Sequence, residues 1–157
     1  MELYGTSYAR DSGELPRGYE IVDGALVRKA VPGYSHSGLQ LWFGQVLAPY
    51  WGPGGQGKPG GWLFGSEADI ELAPGHRYLP DVAGWRLDRV EPSDLRGMPI
   101  RIIPDWVCEL LSQSTAVRDL GIKKHQYYAA GVTRYWVIEP SRTSLTVFER
   151  GSGEFQT

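Results

Sequence analysis

The chain is poor in cysteine, poor in basic excess and poor in long apolar runs. One cysteine, Cys108, stands among 157 residues, so no internal disulfide framework exists and a reducing compartment is the default expectation. No apolar stretch approaches the roughly 20 residues that span a bilayer. Nor does the N-terminus carry an apolar signal-peptide core, so a cytoplasmic, soluble protein with no membrane partner is expected. Sixteen Lys and Arg face 18 Asp and Glu, a net charge of -2, which leaves no global attraction for a polyanion. Contact with nucleic acid must come from a local patch. Internal repeats are also absent. What is present is globular: 41% hydrophobic and 12% aromatic residues in a length suited to one domain over 1–157, with 1–17 as an N-terminal extension.

Local patterns suggest an order of elements. GYEIVDGALVR reads as a β-hairpin turning at Asp23-Gly24, a dipeptide that tolerates positive φ. Helical spacing of Leu39, Phe43, Val46 and Leu47 predicts a helix from Ser35, its N-cap, to about Tyr50. The Gly/Pro-rich loop 52–61 follows. Gly52 to Lys58 matches GxxxxGK, yet Pro59 replaces the hydroxyl residue of a phosphate loop and no helix follows, so nucleotide binding is not expected. Trp62 to Leu72 alternates as a strand pair, with Glu67, Asp69 and Glu71 forming a solvated acidic face. Pro80 to Trp85 is a strand. Ile102 to Leu111, apolar on both faces, reads as a central one. A helix capped by Ser114 or Thr115 runs to Ala130 and stops at Gly131. Tyr135 to Ile138 and Leu145 to Phe148 are two last strands, linked by a turn around Pro140 and Ser141.

Two acids sit awkwardly in this scheme: Asp81, after Pro80, and Glu109, inside the apolar run WVCELL. A buried carboxylate must be neutralised, paired or bound to a cation. Strand alternation puts Asp105, Val107, Glu109 and Leu111 on one face and Trp106, Cys108 and Leu110 on the other. Helical spacing places Lys123 on a stripe with Leu120, Tyr127 and Ala130, so its ammonium points inward and needs an anion such as Glu109 or Asp81. Two carboxylates suit a hard divalent cation such as magnesium. With a lysine beside them they imply phosphodiester hydrolysis. The alternative from spacing alone is a structural Glu109 and Lys123 pair, with Asp81 capping a turn. Cys108, Trp85, Trp106 and Trp136 read as core, and His76 and His125 as surface residues.

The ordered set GYEIVDGALV, LPDVAGW, PDWVCELLSQST and RDLGIKKHQYYAAGVTRYWVIEP resembles the Uma2 family, once called DUF820, of PD-(D/E)XK endonucleases. The resemblance spans about Tyr19 to Phe148. It implies a mixed α/β restriction-endonuclease-like fold, a central mixed sheet flanked by helices with an N-terminal hairpin, and DNA cleavage dependent on Mg2+ or Mn2+. By that resemblance Asp81 and Glu109 hold the metal, Lys123 is the catalytic lysine, and Glu20, His36 and Tyr127 are accessory. Arg28, Lys29, Arg118 and Lys124 are candidates for holding backbone phosphates of DNA, and a homodimer suits cutting both strands of a duplex. The general pattern places a lysine two residues after the second acid, where this chain has Leu111. That substitution favours the alternative function, a nucleic-acid-binding or assembly module that has kept the fold and lost efficient chemistry.

Overall fold

At Asp23 and Gly24 the backbone takes φ of 50° and 76°, the two positive values of a type I′ turn. That turn joins β1 (Tyr19–Val22) to β2 (Ala25–Arg28) in antiparallel register, as the sequence predicts. The computed structural model describes residues 13–111 and 119–157. Arg118, and the expected helix cap at Ser114 or Thr115, lie outside the described residues.

The described strands form two sheets where the sequence suggested one. The hairpin belongs to a four-stranded antiparallel sheet ordered β2-β1-β5-β4, with β4 at Ile70–Ala73 and β5 at His76–Tyr78. The second sheet is mixed and six-stranded, ordered β10-β9-β8-β7-β6-β3. It contains β3 (Trp62–Gly65), β6 (Val82–Arg86), β7 (Trp106–Leu110), β8 (Arg134–Glu139), β9 (Ser144–Arg150) and β10 (Phe155–Gln156). Within it β7 runs antiparallel to β6 and parallel to β8. The expected pairing within Trp62 to Leu72 is therefore corrected: β3 pairs with β6, while β4 pairs with β5 in the other sheet.

All five residues of β7 are buried, as befits a strand covered on both faces. On one face Trp106, Cys108 and Leu110 pack with Val82 beneath Phe43 of helix α1 (Tyr34–Leu47). On the other, Val107 and Leu111 join Tyr127, Tyr135 and Val137, together with Val22, Ile70, Leu72 and Tyr78 of the four-stranded sheet. The alternation expected for this run is what the fold uses. Helix α1 starts one residue before Ser35, with Gly33 at its N-cap and no side-chain cap. Helix α2 (Lys124–Ala130) continues a π-helical turn at Asp119–Lys123 and stops at Gly131, whose φ of 106° is the left-handed stop expected there. Among the described residues no helix is long and apolar enough to cross a membrane.

Candidate active site

Asp81 immediately precedes β6, whose first residue Val82 pairs with Cys108 of β7, the neighbour of Glu109. Asp81 and Glu109 are buried, at 2% and 1% exposure. The Asp81 carboxylate is held at both oxygens: Oδ2 accepts the Leu110 backbone N–H at 2.7 Å, and Oδ1 accepts from Lys29 Nζ at 2.9 Å. His36 Nε2 from the first turns of α1 also reaches Oδ1, at 3.3 Å. One turn on, Gln40 donates to the Asp81 carbonyl at 2.7 Å and to Ser66 Oγ at 2.6 Å.

Glu109 faces the other side of the cluster. Its Oε1 accepts from Lys123 Nζ at 3.0 Å and from the Tyr127 hydroxyl at 2.8 Å. Lys123 is 1% exposed and also contacts Glu20 Oε1 of β1 at 2.9 Å, an oxygen that accepts the Leu79 backbone N–H at 3.0 Å. The inward-pointing lysine read from helical spacing thus meets Glu109, and Tyr127, one turn further, meets the same oxygen. Glu20 and His36, the weaker candidates, are gathered into the same cluster.

The electrostatics follow from this crowding. Burial disfavours the Asp81 anion, yet the His36 imidazole, the Lys29 ammonium and the Leu110 N–H together hold its carboxyl well below the ordinary range. The hydrogen bond to Asp81 raises His36 in turn. Burial opposes the Lys29 ammonium, but Glu109, Asp81 and Glu67 outweigh it and raise its pKa. Burial, followed by the Glu109 charge, pushes the Tyr127 phenol well up, so it donates to Glu109 as a neutral hydroxyl. Burial likewise raises the Cys108 thiol, which lies in the α1 layer as a core residue.

One expectation changes, and the candidate phosphate contacts take separate places. The acidic face of Glu67, Asp69 and Glu71 is a row of ion pairs, because each carboxylate has a cation within reach: Lys29 for Glu67, Arg77 for Asp69 and Arg101 for Glu71. Lys29, expected on phosphate, has its ammonium inside the acid cluster. Lys124 lies over the Phe148 ring at 4.0 Å and Arg28 ends β2 as an exposed side chain, so these two do not join the acids. Sequence reasoning missed Gln40, although its i,i+4 spacing from His36 was a usable signal. It also set Glu67 on a solvated face of an alternating strand, whereas Glu67 lies in coil with its carboxylate on Lys29.

The carboxylates present are hard oxygen donors of the kind magnesium takes, and one or two of them, completed by water and phosphate oxygens, is its usual complement. The donor set therefore fits the ion. Among the described residues no group of three His, Cys, Asp or Glu side chains is already arranged to hold one, since the ammonium groups of Lys29 and Lys123 stand against the acids.

A family model described as "Uma2: Putative restriction endonuclease" matches residues 11–157. A crystal structure from Anabaena variabilis, described as "a putative nuclease belonging to DUF820", superimposes with a TM-score of 0.74 at 20% identity, covering 92% of this chain and 78% of that one. At such identity the likeness speaks for the fold. No curated protein matches the chain. The nuclease-like fold and a family match that runs from before β1 to the last residue agree, and the chain belongs to the Uma2 family.

Proposed function

We propose that the protein is a metal-dependent endonuclease that hydrolyses phosphodiester bonds of DNA. The observation that carries this reading is the burial of Asp81 and Glu109 where β6 meets β7, near enough together for both to act on the Lys29 ammonium. Asp81 and Glu109 would hold magnesium or manganese. Such an ion lowers the pKa of a bound water and offsets charge on the phosphate. The remaining residues act on the acids. Lys123 and Tyr127 fix one Glu109 oxygen through bonds of 3.0 and 2.8 Å, which orients the carboxylate. Glu20 anchors that lysine from the hairpin. His36 and the Leu110 amide fix the orientation of Asp81. A homodimer would bring two such sites to the two strands of a duplex.

Supercoiled plasmid tests the reading. The protein is expected to nick it with magnesium or manganese, and chelator is expected to stop the reaction. Asp81→Ala and Glu109→Ala should each lower the rate by about a hundredfold or more. Nicking that persists with chelator, or in Asp81→Ala, would sink the proposal. The second reading, a nucleic-acid-binding or assembly module, is favoured by buried Leu111 at the position of the strand lysine. It expects retention of DNA on a gel without metal-dependent nicking.

A further inference from the structure

Lys29 leaves β2 into coil, and all three of its ammonium protons meet oxygen: Glu67 Oε1 at 2.8 Å, the Leu79 carbonyl at 2.6 Å and Asp81 Oδ1 at 2.9 Å. These oxygens come from two stretches of chain, Glu67 and the segment 79–81, and converge on one point. An ammonium coordinated by two carboxylates and a carbonyl occupies the kind of place a hard cation would take, although magnesium would draw its oxygens closer, to about 2.1 Å.

The two lysines of the cluster are built differently. Lys123 is sealed at the end of the π-helical turn, 1% exposed. Lys29 is 12% exposed beside a Glu67 that is 40% exposed, so this corner of the cluster opens to solvent. A change of rotamer can swing the Lys29 side chain out while its backbone N–H stays on the Gly18 carbonyl at 2.8 Å. The Glu67 backbone is held at a φ of 53° with its N–H on the Pro80 carbonyl at 3.1 Å, so its position beside residues 79–81 does not depend on the lysine.

We propose that Lys29 is an exchangeable counter-ion: it fills the pocket of Glu67, Leu79 and Asp81 in the metal-free protein and is displaced when a divalent cation enters. Glu67 and the Leu79 carbonyl then become ligands beside Asp81, and the released ammonium stands at the open edge of the site, where a phosphate oxygen can receive it. One positive charge faces the two carboxylates of the pocket before the exchange and two face them after it. This inference rests on the metal reading above and adds to it the identity of the competitor and of two further oxygen ligands.

Free manganese in titrations of the full-length chain, measured by electron paramagnetic resonance without DNA, gives the affinity directly. If Lys29 holds the pocket most of the time, only a minor fraction of molecules is ready for metal, and Lys29→Met should bind manganese about tenfold or more tighter than wild type. Glu67→Gln added to that variant should reverse most of the gain. Circular dichroism reports whether each variant is folded. Wild-type crystals soaked in manganese chloride give a second measurement that needs no variant. Their anomalous peak is expected among Glu67, Leu79 and Asp81, with Lys29 withdrawn. An affinity unchanged in Lys29→Met, or a peak elsewhere on Asp81 with Lys29 still bonded to Glu67 and Leu79, overturns the exchange. Manganese binding that Asp81→Asn abolishes but Lys29→Met leaves unchanged removes the exchange and spares the metal reading. No binding in either wild type or Lys29→Met removes both.

Discussion

One ammonium, that of Lys123, serves two buried carboxylates, Glu20 and Glu109. Removing one partner of a buried ion pair is expensive because the charge left behind has lost water as well as its counter-ion. Lys123→Met is therefore expected to lower unfolding stability by about 3–5 kcal/mol, read as a shift of the urea midpoint. The next residue is the control. Lys124 lies over the Phe148 ring, a contact worth about 0.5–1 kcal/mol where solvent reaches it, so Lys124→Met should move the midpoint little. Equal losses in the two variants would mean that the Lys123 network contributes no more than a surface contact. Two adjacent lysines of the same helical segment thus differ because one reaches buried acids and its neighbour reaches only an aromatic ring, a distinction that helical spacing made visible for Lys123.

At the level of elements, close approach across β3 and β6 is built on Gly84. A Cβ placed there would stand 3.0 Å from the Phe64 ring and 3.1 Å from that of Trp106, in a layer already filled by Phe43 and Val82. Gly84→Ala is expected to cost about 1–3 kcal/mol through overpacking, measured by thermal or chemical unfolding; a neutral result would mean that the rings yield freely. The elements legible in the sequence are those encoded within a few residues: the Asp23-Gly24 turn, the alternation of β7 and the Gly131 stop. The Trp62 to Leu72 stretch was misread because alternation shows that a strand exists and not which strand it pairs with. The partners here are distant, and the chain changes sheets between Gly65 and Ile70. The site divides in the same way. Asp81, Glu109 and Lys123 betray themselves as charges in apolar patterns, whereas Lys29 lies in coil, where no pattern exists for a charge to violate, and Glu67 fits an alternation that the fold breaks with a bend.

Across the whole molecule the site is where separate layers meet. Glu20 comes from the four-stranded sheet, Glu109 from the six-stranded one, His36 from α1, and Lys123 from the turn that leads into α2. Its titration is therefore coupled to global stability. The pKa of His36 is raised above its ordinary 6.5, so its stabilising bond is fully present below that value and fades as pH climbs through the raised one. That of Asp81 is lowered from 3.8, so its contribution is present above that value and is lost as pH falls through the depressed one. In chelator, the difference in melting temperature between wild type and His36→Asn should be largest near about pH 5 and shrink towards about pH 9; a difference that does not vary with pH would assign His36 a packing role instead. The register of β6 on β7 carries a last consequence. A slip of one residue would send Val82 into the acid pocket and Asp81 under Phe43 and Trp106, a bare carboxylate in an oily layer. The same aspartate that equips the site for chemistry also acts as a proofreader of assembly, penalising the nearest wrong alignment of the two strands.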